Sequence, residues 1–95
     1  MFVADDKLAL GARLWVEKAE NDLAAAIVII KAKHPGTAEA VCFHAQQCVE
    51  KYLKAVLAWR RIDFPRTHNV DLLVKLLPVS DRPTLSQAEQ TQLTT

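Results

Sequence analysis

Glycine and aromatic residues are scarce in this 95-residue chain, which has two glycines, three phenylalanines, two tryptophans and one tyrosine. β-Sandwiches and barrels need many turns and many aromatic strand residues, so this composition argues against them. Alanine, leucine and lysine are frequent instead, and these residues favour helices. We therefore expect an all-α protein.

Long apolar runs are also absent from the sequence. The longest weakly charged run, residues 23–30, is far shorter than the ~20 apolar residues that a membrane-spanning helix needs. Residues 1–6 lack the basic opening and the small-residue cleavage site of a secretory signal. We expect a cytoplasmic protein without a membrane span.

The size and charge of the chain set further limits. Ninety-five residues, 51% of them hydrophobic and 24% charged, fit one small domain over residues 1–95. The formal net charge of +1 is too small for a protein that binds nucleic acid along its whole surface. Cys42 and Cys48 are six residues apart on one predicted helix, so we expect no disulfide between them.

Helical periodicity extends over residues 7–33 and predicts the first helix. The stripe comprises Leu8, Ala12, Trp15, Ala19, Leu23, Ala26 and Ile30. Pro35 and Gly36 should end this helix, because proline disfavours helical geometry in the preceding residue and glycine accepts a left-handed turn. Thr37 is then the predicted cap of the second helix.

The second predicted helix covers residues 38–61 and has a broad apolar face. That face carries Val41, Ala45, Cys48, Val49, Tyr52, Val56 and Trp59, with Phe43, Leu53 and Leu57 at its edges. A short loop between two long helices makes them antiparallel neighbours, as in an up-and-down bundle. The breadth of the face predicts a homodimer with helices from both chains in one core; the alternative is that a third helix covers it.

Two shorter helices are predicted after the second one. Thr67 can cap a third helix over residues 68–77, which Pro78 ends. Thr84 and Gln87 have the spacing of a capping box, so we expect a short fourth helix that is frayed or docked on another chain. The predicted architecture is an up-and-down antiparallel four-helix bundle with a short last helix.

Basic residues cluster toward the end of the second predicted helix and in the loop after it. Residues 50–68 contain Lys51, Lys54, Arg60, Arg61 and Arg66 but only two acidic residues. Of these, Lys51, Lys54 and Arg61 share a helical stripe with His44 and Gln47, which predicts a directional phosphate-binding patch. The alternative is an ordinary solvated face in which Glu50 and Lys54 form an i,i+4 pair.

His68 is the second candidate for chemistry. At the start of a predicted helix, backbone N–H groups already favour an anion. A histidine there could move protons at a ribose hydroxyl or a phosphate while an arginine stabilises the developing charge, as metal-free RNA cleavage requires. The alternative is a surface or capping histidine.

Two other sets of residues could make specific polar contacts: Asp22, and His44 with Cys48. Asp22 lies among apolar residues of the first helix, so we expect it to make a polar contact with the second helix. His44 and Cys48 could supply two metal ligands, but no further histidine or cysteine completes a site with recognisable spacing, and no metal or other cofactor is predicted.

Three blocks of the sequence together resemble the HEPN domain family. They are residues 17–26 (EKAENDLAAA), residues 42–55 (CFHAQQCVEKYLKA) and residues 66–73 (RTHNVDLL). The likeness covers about residues 13–77. The middle block, with its Phe-His-Ala-Gln-Gln and Glu-Lys-x-x-Lys elements, is the most specific part.

The resemblance implies a helical bundle that is commonly a homodimer and is often produced beside a minimal nucleotidyltransferase as a toxin–antitoxin pair. Active members are metal-independent ribonucleases with an arginine, four to six residues and a histidine. Arg61 and His68, with six residues between them, fit the upper limit of that spacing. The sequence departs from the family in the apolar Ile62 after the arginine, in Pro65 and in a short C-terminal part.

Three functions remain open at this stage. The first is an RNA-cleaving toxin in which His68 moves protons and Arg61 stabilises phosphate charge, with Lys51, Lys54 and Arg66 holding phosphate. The second is a noncatalytic adaptor that binds nucleotide or a partner nucleotidyltransferase. The third is a structural dimerisation bundle.

Overall fold

A computed structural model describes residues 3–82, with side chains described from residue 9 onward, and every regular element in that range is helical. The elements are α1 (Val3–Ala32), α2 (Ala38–Trp59), α3 (Val70–Leu76) and a short 3₁₀ turn (Val79–Asp81). The all-α prediction is therefore confirmed. The predicted fourth helix lies outside the described residues, so three α-helices are seen where four were expected. None of the described helices combines the length and apolar character needed to cross a membrane.

The turn between α1 and α2 lies where the sequence placed it. Lys33 and Gly36 both have positive φ, of 53° and 81°, and the Lys33 amide donates to the Ile30 carbonyl at 3.2 Å. Thr37 occupies the N-cap position of α2, but its hydroxyl makes no capping bond. It donates instead to the His34 carbonyl at 2.7 Å, so Thr37 stabilises the turn rather than the first amides of α2.

α1 and α2 pack as an antiparallel hairpin. Asp22 of α1 contacts His44 of α2, whereas Trp15, further back along α1, lies beside Lys54, further along α2. The α1 side of the contact is a row of buried alanines at seven-residue spacing: Ala12, Ala19 and Ala26. Small side chains at the contact let two helix backbones approach closely, because the interaxial distance depends on the residues between them.

The predicted apolar stripes are partly wrong. On α1, Leu23 and Ile30 are 44% and 57% exposed. The alanine row and Asp22 take up the contact with α2, so the larger residues lie beside it. On α2, Tyr52, Val56 and Trp59 are exposed, while the buried residues are Cys48, Glu50, Leu53, Lys54, Ala55 and Leu57.

α3 provides half of the residues in the main hydrophobic core cluster. Leu53 and Leu57 of α2 pack with Val70, Leu73, Val74 and Leu77 in and after α3. The helix starts later than predicted: Asn69, not Thr67, is its N-cap, and the Asn69 side chain accepts from the Leu72 amide at 3.0 Å. The Thr67 hydroxyl accepts instead from the Asn69 amide at 3.0 Å.

Two contacts fix the direction of α3. His68, just before α3, contacts Glu50 in the middle of α2, and Asp81, just after α3, pairs with Arg60 at the end of α2. α3 therefore runs along the second half of α2 and in the same general direction. The up-and-down arrangement holds for α1 and α2 but does not continue into α3.

Candidate functional site

His68 lies before α3, beside the middle of α2, where it meets a buried carboxylate. Its Nδ1 is 2.7 Å from Oε1 of Glu50. The Glu50 side chain is only 4% exposed, whereas the His68 side chain is 65% exposed. A carboxylate can only accept, so the Nδ1 proton lies in this bond. In the neutral ring, Nε2 is then the basic nitrogen.

The second oxygen of Glu50 is held by Lys54. The Lys54 ammonium donates to Oε2 at 3.2 Å, and the lysine side chain is only 8% exposed. The same Nζ lies 5.2 Å from the centre of the Trp15 ring, a cation–π distance. The positive charge of Lys54 offsets the buried charge of Glu50, which would otherwise be costly to bury. We call these residues, Lys54, Glu50 and His68, the His68 triad.

Packing of the connecting loop holds His68 in place. Phe64 meets Trp15 edge-on, with ring centroids 6.0 Å apart and an interplanar angle of 63°. Ile62 and Phe64 also pack against the core formed by α2 and α3. The apolar Ile62, which departs from the family pattern, thus anchors the loop that carries His68.

Arg61 and Arg66 are both exposed. Arg61 follows Arg60, the C-cap of α2, and has a left-handed backbone with φ 61°; its amide donates to the Ala58 carbonyl at 3.2 Å. A left-handed residue there is a common way to end a helix, although glycine is the usual choice. Arg61 therefore stands at the start of the loop whose other end carries His68.

A second triad joins α1 to α2. Asp22 Oδ1 is 2.9 Å from His44 Nδ1, and Asp22 Oδ2 accepts from the Lys51 ammonium. The predicted polar contact of Asp22 with the second helix is thus confirmed. Burial alone would raise the pKa of Asp22, but the hydrogen bonds and positive charges of Lys51 and His44 lower it below its ordinary value.

The predicted lysine patch takes a different form in the structure. Lys51 points to Asp22 and Lys54 to Glu50, so both ammonium groups are held in ion pairs between helices. Arg61 lies beyond the end of α2 rather than on its stripe. The structure brings Lys54 and His68 together through Glu50 and places Lys51 in the separate Asp22 cluster.

Glu50 is the site residue that the sequence reasoning missed. The alternative interpretation placed it in a solvated i,i+4 pair with Lys54; the pair is present, but both partners are buried. A signal was present: Leu53 and Leu57 follow Glu50 by three and seven residues, which places Glu50 on the same helix face as two core leucines.

Comparison with known proteins identifies a family. The profile of the HEPN domain matches residues 12–93, which is most of the chain. The chain is also 45% identical over 56 residues to a Methanocaldococcus jannaschii protein named "Putative toxin MJ1304". That similarity covers 58% of this chain but only 34% of the relative, so the chain spans about a third of that protein's length. No solved structure matches the chain.

Proposed function

The chain belongs to the HEPN domain family, and from that premise we propose that it is a HEPN-type toxin that cleaves RNA without a metal ion. The observation that carries the proposal is the bond between His68 Nδ1 and the buried Glu50 carboxylate. A carboxylate on one ring nitrogen sets the tautomer and the orientation of the ring, so the opposite nitrogen can act on a substrate.

The chemistry follows from the orientation of the ring. Nε2 of His68 takes the proton of a ribose 2′-hydroxyl as its oxygen attacks the adjacent phosphorus. The new bond joins the 2′-oxygen to phosphorus, and the bond from phosphorus to the 5′-oxygen breaks. The leaving oxygen takes up a proton from the imidazolium or from water. The products are a 2′,3′-cyclic phosphate and a 5′-hydroxyl.

Positive charge near the phosphate is assigned to two arginines. We propose that Arg61 stabilises the charge that develops on the phosphate oxygens, and that Arg66, exposed on the same loop, helps to hold the RNA backbone. The sequence assigned Lys51 and Lys54 to phosphate binding. Because Asp22 and Glu50 hold their ammonium groups, we propose other roles for them. Lys54 orients Glu50, and Lys51 joins α1 to α2.

We propose a homodimer in which the two Arg61 and His68 pairs share one cleft. Apolar side chains exposed near the turn of the hairpin support association between chains: Leu23, Ile27, Val28, Ile30 and Phe43. The relative named as a toxin supports pairing with an antitoxin, for which we propose a minimal nucleotidyltransferase.

A second function is favoured by the pairing of the two lysines. Because Lys51 and Lys54 are held by carboxylates, the surface around His68 has fewer cations than an RNA-binding patch built on them would have. That observation favours a noncatalytic adaptor that binds a nucleotidyltransferase or a nucleotide.

RNA cleavage in EDTA by purified protein separates the two functions. The proposal expects cleavage by the wild type and a loss of about 10²-fold or more in His68→Ala, the range that general acid–base groups contribute. The circular dichroism spectrum and oligomeric state should not change, because His68 is largely exposed.

A control variant comes from the second triad. His44→Ala removes a histidine with the same Nδ1-to-carboxylate contact at a place that the proposal does not use. It should retain wild-type cleavage once folding is confirmed. Cleavage that survives His68→Ala, together with a copurifying nucleotidyltransferase, would support the adaptor instead.

A further inference from the structure

Trp15 contacts a second lysine besides Lys54. The Lys18 ammonium lies 4.9 Å from the centre of the Trp15 ring, and the Lys54 ammonium lies 5.2 Å from the same centre. Lys18 follows Trp15 by three residues on α1, a spacing that places the two side chains on one helix face. Lys54 is buried, whereas Lys18 is exposed. One ring is therefore shared by a lysine inside the protein and a lysine at its surface.

The Trp15 ring also adjoins the candidate site. Its edge-on contact with Phe64 joins it to the loop that carries His68, and its contact with Lys54 joins it to the His68 triad. Lys18 therefore lies next to a ring that contacts both parts of the site, although α1 supplies no member of the triad.

The charge of Lys18 is oriented but not neutralised. Among the side chains that the structure describes, Lys18 forms no ion pair. Asp22, one turn further along α1, is held by Lys51. Glu17 and Glu20 are one and two positions away, and such neighbours do not face each other on a helix. A cation–π contact attracts the ammonium to a neutral ring, so the full positive charge remains at the surface.

We propose that Lys18 binds an RNA phosphate next to the one on which His68 acts, and that Trp15 holds its ammonium group in position. The inference rests on the proposed cleavage of RNA and adds a substrate-binding residue from α1. An ammonium group binds phosphate as a point charge and releases a counterion from the RNA. Lys18 thus supplies the cation that Lys51 and Lys54 do not, because carboxylates hold both of those lysines.

The salt dependence of RNA binding tests this role. The probe is a short single-stranded RNA in which fluorine replaces every ribose 2′-hydroxyl, so it lacks the nucleophile for cleavage. Lys18→Gln removes the charge, and Lys18→Arg restores it on a group that also binds aromatic faces and phosphate. The matched control is Lys31→Gln, because Lys31 is also exposed on α1 but lies in its last turn.

Fluorescence anisotropy at several salt concentrations gives the slope of log K against log salt. Lys18→Gln should reduce the magnitude of this slope by about 0.7, the value for one phosphate contact with a single strand, and should weaken binding about fivefold near 0.1 M salt. Lys18→Arg and Lys31→Gln should match the wild type. With cleavable RNA, Lys18→Gln should raise KM and leave kcat within about twofold, because it removes binding shared by the substrate and the transition state.

A wild-type slope in Lys18→Gln would overturn the inference, because Lys18 would then only pack on Trp15. Equal losses in Lys18→Gln and Lys31→Gln would overturn it as well, since they would reflect net charge alone. Both outcomes leave the proposed function standing, provided that the wild type binds RNA and His68→Ala loses cleavage. A wild-type protein that binds no RNA would overturn the inference and the proposed function together.

Discussion

Nδ1 of His68 lies 2.7 Å from Oε1 of Glu50, although the histidine is exposed and the glutamate is almost wholly buried. The contact joins the loop before α3 to the middle of α2. The Glu50 charge is offset by Lys54 on its other oxygen, which lowers the cost of burying that charge. One side of the His68 ring is thereby held by the protein, and we propose that the other side acts on the RNA.

Replacement of Glu50 by glutamine should reduce RNA cleavage by at least about tenfold, but less than the loss of His68 itself. The amide has nearly the shape of the carboxylate but lacks its charge, and it can donate as well as accept. It therefore no longer fixes the proton on Nδ1. Single-turnover cleavage in EDTA measures the effect, and ¹⁵N shifts of the ring nitrogens report the tautomer.

The matched control for that variant is Asp71→Asn. Asp71 also pairs with a lysine four residues away, Lys75 Nζ lying 2.9 Å from Oδ2, but it lies outside the His68 triad. Cleavage by this variant should equal that of the wild type. An equal loss in both variants would mean that the carboxylate of Glu50 has no special relation to His68.

Replacement of Lys54 by methionine should lower the free energy of unfolding by about 3 kcal/mol, because it leaves the buried Glu50 charge without its ammonium partner. Lys75→Met removes a lysine from the exposed i,i+4 pair with Asp71 and should cost less than about 0.5 kcal/mol. Urea unfolding of the two variants makes the comparison. Similar small losses would show that Glu50 and Lys54 are effectively solvated.

The Asp22 carboxylate should make the free energy of unfolding depend on pH in the acidic range. Its pKa is lower in the folded protein than its ordinary value of 3.8, so the unfolded chain binds more protons between the two values. The stabilisation is complete above pH 3.8, and it is lost as the pH falls through the lower pKa of Asp22 in the folded protein.

The variant that tests this dependence is Asp22→Asn. It should be about 1–3 kcal/mol less stable than the wild type near pH 7, because Lys51 and His44 lose their charged partner. The difference should shrink when urea unfolding is repeated near pH 3 and below. A difference that stays constant over this range would contradict the assigned role of Asp22.

A pair of substitutions separates the role of the Arg61 side chain in RNA cleavage from the effect of its backbone on stability. The Arg61 φ of 61° lies in the left-handed region, which is unfavourable for arginine and alanine but not for glycine, so Arg61→Gly relieves backbone strain that Arg61→Ala retains. The glycine variant should be more stable than the alanine variant by about 1 kcal/mol in urea unfolding. Both lack the guanidinium and should lose cleavage equally. Cleavage retained by the glycine variant alone would show that Arg61 acts through the backbone.

The sequence predicted the helices better than the faces that they bury. Periodicity and the Pro35-Gly36 turn located α1 and α2, because these signals are local. Burial of Glu50 and Lys54 was not predicted, since a rule based on hydrophobicity places charged residues outside. Their mutual pairing and the contact with His68 depend on how α3 packs against α2, and a single helix carries no information about that.

For the candidate site, the sequence proposed residues but not how they are arranged. His68 was named from the sequence, but it was placed on the first turn of a helix that in fact starts at Val70. The Asn69 side chain accepts from the Leu72 amide and so caps the helix, and the helix therefore starts after the histidine. Lys51 was assigned to phosphate because the sequence predicted a contact of Asp22 with the second helix but not which residue there would be its partner.

The chemical ends of the RNA fragments test the central claim most directly. Purified wild-type protein in EDTA should convert RNA into fragments with 2′,3′-cyclic phosphate and 5′-hydroxyl ends, and His68→Ala should form them at least about 10²-fold more slowly. Mass spectrometry of a short synthetic RNA identifies both ends. Fragments with 5′-phosphate and 3′-hydroxyl ends, or unchanged cleavage by His68→Ala, would contradict the account.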